Sequence, residues 1–488
     1  MSLSSALTNA FTGLQANTRA ANLVSTNIAN ATTDNYARRT LALSSGTGGV
    51  RIDGVVRNAD PVLVADRWVS DAALAFGSSV FDFATQLETE VGDGSEPGSL
   101  NGRVVAFENA LLSATTNPAS RQRLETVAET ADALADTLNS LSSEVQASRE
   151  RADATIASHV QTLNTSLAQI EQINDAIKSA DVTRTDPSSL LDERQRLIDG
   201  ISEIVPLRIV ERDRGEVALF SRSGATLLDG SASTIEFAPT TLITPDMTLG
   251  SPLSGLTLNG NAVDSSPDGF FAGGDLAAQL EIRDVRAPDR QAELDGIARE
   301  LIQRLENNAS DTTIVAGDAG LFRDSTAGIN GATGNFAAFD PTNETGIAGR
   351  IMLHVEQVQP GDGSSWRLRD GIYATAQGEV GDATILQGIS DALSDIAAPQ
   401  SAVFGTVVKD FATLVGDFSA SVAADRVRTE GEQTFLVTRN TALRELELAR
   451  GVDTDQELQR LIQVEQHYAA NAQVMSTVDD LMERLLNI

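Results

Sequence analysis

Apolar residues at both ends of the chain recur in steps of three and four. Near the C-terminus Leu461, Val464, Tyr468, Asn471, Met475, Val478, Met482 and Leu485 form one row; at the N-terminus Leu3, Leu7, Ala10, Leu14, Asn17, Ala21, Val24 and Ile28 form another. This is a/d spacing with one asparagine per row, so each end predicts a helix whose face needs a partner. Taken singly, each stripe fits an ordinary core equally well. Paired, they make a two-helix stem from which everything between is a loop. Asn17 and Asn471 are assigned to register, because a buried polar pair disfavours slipped alignments.

Between the ends the period alternates. The first helix is expected over about 4–28, ending in the Asn27–Asn30 cluster, where asparagine tolerates a left-handed terminus. Gly46, Gly48 and Gly49 read as a flexible break, and 50–64 as a strand pair turning at Asp53-Gly54. Helices are expected over 62–89 and 104–114, and another starting with Asn117 as cap and Pro118 at the first helical position. From Arg121 to Ala180 there is neither proline nor glycine, and Leu124, Val127, Leu134, Leu138, Leu141 and Val145 keep one stripe. That predicts a rod about 90 Å long, of little use to a compact enzyme.

Asp186-Pro187 opens a further helix. Residues 207–230 alternate with period two, with turns at Asp213–Gly215 and Asp229-Gly230. Helical spacing returns after Gly274 and is broken or kinked at Pro288; a long helix follows Pro399, and Thr454 with Glu457 reads as a capping box. The expected fold is mainly α with an inserted β domain, its discontinuous helical core built from N- and C-terminal parts and its terminal helices forming a coiled coil. The expected division is 1–60 with 451–488 as a terminal coiled-coil assembly domain; 61–208, 275–310 and 385–450 as a long-helix core; 209–274 as a β-rich insertion; and 311–384 as an irregular β-containing excursion.

Composition narrows the function. The 68 acidic against 36 basic residues, a formal charge of −32, repel nucleic acid and anionic membrane surfaces. Lysine occurs only at Lys178 and Lys409, and cysteine is absent, which removes disulfides, thiol nucleophiles and thiolate metal sites. Aromatic residues, at 4%, are sparse for a deep ligand pocket. No apolar run reaches the roughly 18 residues of a membrane span, and the N-terminus has no charge before Arg19 and no apolar h-region, so no cleavable signal peptide is expected.

The segment GLQANTRAANLVSTNIANATTDNYARR is similar to the rod, hook and hook-associated family of bacterial flagellar axial proteins, whose motif has an Asn-x-x-Asn-Ile-Ala-Asn core followed by a Thr-Pro-Gly-Tyr turn. Here Asp34-Asn35 replaces Pro-Gly between Thr33 and Tyr36, a pair that can still turn. The terminal LQRLIQVEQHYAANAQVMSTVDDLMERLLNI, with LLDERQRLIDGISEIVPLRI and GGDLAAQLEIRDVRAPDRQAELDGIARELI, resembles the first hook-associated (FlgK) type within that family. The resemblance implies a structural subunit of the hook-filament junction. It implies export through the flagellar type III apparatus, an export chaperone at the C-terminal region, and a cyclic homo-oligomer of about eleven copies between hook protein and a second junction protein on the filament side. The sixteen seam residues are then an assembly interface. Their pairing within one chain is too small to hold the ends, so the termini are expected to fold on assembly, with Phe11, Ile462, Val474 and Leu481 meeting neighbours.

An enzyme is the competing class. His159, His354 and His467 are scattered without metal-ligand spacing, and no GxSxG elbow, Walker loop or complete GxGxxG exists; GDGSEPG has its glycines misplaced. The acidic pairs Asp192-Glu193 and Asp479-Asp480 fit solvated helix faces. No catalytic residue, cofactor or metal is assigned. Another axial protein, or a non-catalytic surface adhesin using the acidic β insertions, is the alternative.

Overall fold

The computed structural model describes residues 3–33, 36–94, 96–183 and 185–486. It is mainly α. In chain order the helices are α1 (Leu3–Ala29), α2 (Pro61–Val91), α3 (Leu100–Thr116), α4 (Arg121–Thr183), α5 (Ser188–Ser202), α6 (Asp275–Glu281), α7 (Ala287–Leu305), α8 (Arg367–Asp370), α9 (Thr384–Ser394), α10 (Phe411–Ala449) and α11 (Thr454–Leu486). The larger sheets are an antiparallel hairpin, β1 (Arg38–Gly46) with β2 (Gly49–Asn58), and a four-stranded antiparallel sheet in chain order, β3 (Leu207–Glu211), β4 (Val217–Ser221), β5 (Thr226–Asp229) and β6 (Ser231–Ala232).

Helix starts follow capping chemistry. The Asp60 carboxylate accepts from the Val62 and Leu63 amides with Pro61 in the first turn, Ser99 accepts from Gly102, and Asp410 accepts from Thr413. Several boundaries differ from the sequence expectation. Asn117 and Pro118 do not open α4. The Asn117 amide donates to the Ala114 carbonyl, Pro118 has no amide with which to extend α3, and α4 starts at Arg121 after a short reversal. Asp53-Gly54 is not a hairpin turn. The chain reverses between Gly46 and Gly49, and Gly54 lies within β2 where the register shifts opposite Ala42 and Leu43. Gly49 has φ 108°, and a Cβ there would collide with Thr12 and the Asn9 backbone, so only glycine lets the turn close onto α1.

Near Pro288 the helix widens rather than breaks. A π-turn over Ile282–Arg286 joins α6 to α7, absorbing the amide that proline lacks. The long helix after Pro399 begins later than expected, at Phe411. Residues 395–410 first run as an irregular loop in which Ala397 and Lys409 pair antiparallel. The Asp34-Asn35 turn lies outside the described residues.

Two apolar cores form along α4. One gathers α3, the first half of α4, α7, α9, the start of α10 and residues between Ile314 and Ile372, including Phe322, Phe339, Ile347, Leu353 and Leu368. The other gathers Val64 and Trp68 of α2, the second half of α4, α5, β3–β5 and α6. The 63 residues of α4, about 95 Å at 1.5 Å per residue, therefore serve as a common spine.

Where the cores meet, α4 carries buried charge. Arg283 Nη1 donates to Asp153 Oδ1 at 2.7 Å, and its other nitrogens bond Asp284 and the Ser254 carbonyl. The Arg283 carbonyl accepts from Arg149, whose remaining donors reach the Thr244 and Met247 carbonyls. Burial holds the Arg149 pKa below its ordinary value. The stretch 311–384, with few regular elements, is tied by side-chain-to-backbone bonds such as Asp311 to the Thr313 and Ile372 amides.

Candidate assembly site

The two chain ends meet. Helix α1 lies along α11, and the β1–β2 hairpin covers another side of α1, with the Thr12 hydroxyl accepting from the Val50 amide at 3.3 Å and donating to the Gly48 carbonyl at 3.2 Å. Asn27 bonds Glu457 while Gly13 lies against Asn471, so the helices run antiparallel.

Of the sixteen seam residues, Ala10, Val24 and Val478 are buried. Leu3, Leu7, Leu14, Asn17, Ala21, Ile28, Leu461, Val464, Asn471 and Met475 are partly buried, and Tyr468, Met482 and Leu485 are exposed. The buried face of α1 instead includes Gly13, Ala16 and Asn27, none of which the apolar spacing singles out. A Cβ on Gly13 would stand 2.7 Å from Asn471 Nδ2. The expected Asn17–Asn471 pair is thus corrected: the antiparallel crossing sets Asn471 on Gly13, and Asn17 Nδ2 is buried without a hydrogen-bond partner.

At the base of this stem the motif asparagine has a physical role. Asn27 is fully buried; its Nδ2 donates to the Arg39 carbonyl and to Glu457 Oε2, both at 2.9 Å. Its Oδ1 accepts from the Tyr36 hydroxyl at 2.8 Å and the Arg39 amide at 3.0 Å. Glu457, also fully buried, takes Arg38 Nε at 2.8 Å on its other oxygen. One amide side chain therefore joins the end of α1, the start of β1 and the start of α11. The expected Thr454–Glu457 capping box is not formed. Asp453 caps α11 by accepting from the Asp455 and Gln456 amides, because the Glu457 carboxylate is committed across the stem.

Stem and body meet through ions. Arg39 and Arg57 of the hairpin both donate to Asp192 of α5, the latter at 2.7 Å, and Arg450 pairs with Asp60. Beside them Arg67 binds Asp71, Asp199 and Glu447, while Asn440 and Arg444 of α10 also reach Asp71. A cleft of about 500 Å³ opens between these elements, bordered by Tyr36, Arg57, Asp60, Glu203 and Arg444 among others.

The remaining candidates fall apart in space. His159 bonds Asp275 at 2.6 Å. His354 is buried between Phe336 and Tyr373 with its pKa lowered by burial, and His467 is exposed on α11. Asp192 is engaged by arginines, Glu193 pairs with Arg196 at 3.2 Å, and Asp479 and Asp480 are exposed. Among the described residues no group of three His, Asp or Glu is placed to hold a metal, and no helix is long and apolar enough to cross a membrane.

Residues 84–321 match the flagellar hook-associated protein FlgK helical domain, and residues 449–488 match the flagellar basal body rod FlgEFG protein C-terminal model. Flagellar hook-associated protein 1 of Salmonella typhimurium is 27% identical over 246 residues, which are 47% of this chain and 44% of that protein, so the chain spans under half the length of this relative. Its Bacillus subtilis namesake is 22% identical over 99% of both chains. A solved structure, the flagellar hook junction protein FlgK from Burkholderia pseudomallei, aligns at TM-score 0.44 and 20% identity over 55% of this chain and 48% of that one. The helical body and the terminal helix each match a flagellar model, and these relatives share one description: the chain is similar to the FlgK type of flagellar hook-associated protein.

Proposed function

We propose that the chain is a non-catalytic structural subunit at the junction of hook and filament, assembling through its paired ends with copies of itself in a ring. On this reading it contacts hook protein on one side and a second junction protein on the other. It leaves the cell through the flagellar type III apparatus with a chaperone on its C-terminal region, and its stem becomes rigid only among neighbours. The observation that carries the reading is the stem's unburied apolar surface. Phe11, Ile462, Val474 and Leu481 are 43–55% exposed off the seam, and Met482 and Leu485 are 40% and 61% exposed on it. Two helices can bury only the stripe they share, and a row of exposed apolar residues along a helix marks a surface that a partner covers.

Electron microscopy of cells lacking the gene tests it: hooks without filaments are expected, with flagellin shed into the medium. Complementation with the chain carrying Ile462→Asp and Val474→Asp should leave the hooks bare although the subunit is exported. Normal filaments in the deletion strain, or in cells carrying the double variant, would overturn it.

A further inference from the structure

The stem's two polar contacts agree on one alignment. The step of fourteen residues from Gly13 to Asn27 along α1 is matched by a step of fourteen back from Asn471 to Glu457 along α11. The apolar rows do not select this alignment, because both repeat every seven residues. Sliding one helix by seven puts Gly13 opposite Val464 or Val478 and still sets small or apolar residues together.

The base of the stem is less forgiving. The same slide carries Glu457 to Ala20 or past the end of α1, and carries Asn27 to Val464 or past the start of α11. A carboxylate that is now fully buried and bonded to Asn27 and Arg38 would lose both partners, while the Asn27 amide would lose the Glu457 acceptor and keep its bonds to Tyr36 and Arg39. Asn17 supplies no such penalty, since its Nδ2 has no partner to lose.

We infer that the latch formed by Asn27, Arg38 and Glu457 specifies the register of the α1–α11 stem. This property belongs to a single chain and stands independently of where in the flagellum the chain serves.

The natural chain has no cysteine, so engineered pairs report without background. In the full-length protein, Gly13→Cys is combined with Asn471→Cys for the observed register, or with Val464→Cys or Val478→Cys for slips of one heptad. Disulfide yield under mild oxidation is then read by mass spectrometry. With the latch intact the 13–471 pair should exceed either slipped pair by about tenfold or more. Adding Asn27→Leu and Glu457→Leu, which extends the apolar row through the base, should bring the three yields to within about threefold of one another. Glu457→Gln, which keeps an acceptor for Asn27, should retain the preference for 13–471. An unchanged preference in the Leu variant overturns the inference. So does loss of all three disulfides together with stem helicity, because the latch would then hold the stem without selecting its alignment.

Discussion

Replacing Arg283 by methionine should uncouple the two cores. The guanidinium is fully buried at the midpoint of the α4 spine, 2.7 Å from Asp153, which is 1% exposed. Met fills much of the volume but leaves the Asp153 carboxylate buried with only the Thr240 amide, at 2.6 Å, as donor. Breaking a buried pair from one side costs about 3–5 kcal/mol. At a urea m-value of roughly 3 kcal/mol/M or more for a chain of this size, the midpoint should fall by about 1 M. The two tryptophans divide the assay, since Trp68 sits in the α5–α6 core and Trp366 precedes α8, whose Leu368 is buried in the other. Single-tryptophan variants made with Trp→Phe report each core by fluorescence. Both midpoints should fall, and the Trp68 transition should move furthest, because the sheet and α6 lose their tie to the spine. Adding Asp153→Leu should restore about half the loss, because it removes the unpaired carboxylate but leaves the Thr240 amide without its acceptor. A fall under about 0.3 M, or a double variant no better than the single, refutes the coupling role.

Two further expectations follow from charge. Burial raises the Glu306 pKa to about 7 against an ordinary 4.5, so the folded state holds the extra proton and stability is full below pH 4.5 and declines as pH rises to 7. Glu306→Gln, whose carbonyl can still accept from the Phe339 amide, should match the parent at pH 4 and exceed it by at most about 3 kcal/mol at pH 8 in urea titrations. Equal differences at both pH values would exclude this origin. Asp192→Asn removes the shared acceptor charge of Arg39 and Arg57, so hydrogen exchange of β1 and β2 should quicken by about 30-fold, for about 2 kcal/mol of charge-assisted bonding. Exchange in the two cores should stay unchanged; a uniform rise across the chain would mean that Asp192 supports global stability instead.

What the sequence discloses and what it hides follow from the range of the interactions. The α4 rod is legible because sixty residues without glycine or proline, with one apolar stripe, have no other regular fate. The β3–β6 meander is legible for the same local reason at two of its turns, β3–β4 at Arg214 and β5–β6 at Gly230, where φ is positive; the β4–β5 turn at Gly224 is not singled out by the sequence reading. Arg283 is hidden because a charged residue reads as solvated unless its partner, 130 positions away, is known. Gly13 carries no apolar signal, although its missing side chain is what admits Asn471. Glu457 misleads: its local context offers a capping box, and a contact with Asn27, 430 positions distant, takes the carboxylate instead. Within 311–384 the buried apolar residues lie at irregular intervals, since the loop is shaped by α3, α4 and α7 beneath it rather than by a period of its own.

The stem's base and tip differ in what completes them. At the base every oxygen of Asn27 and Glu457 has a partner within the chain, and the hairpin is clasped to α5 through Asp192. Toward the tip, Met482 and Leu485 stay in solvent although they continue the same row. Apolar surface left at one end of a helix pair costs little while the pair is short, yet it supplies the driving force for association once several copies align. On the ring assembly proposed above, a stem closed at its base and open at its tip presents that surface in a fixed direction from the body, so lateral contact between subunits depends on the register that the base is inferred to set.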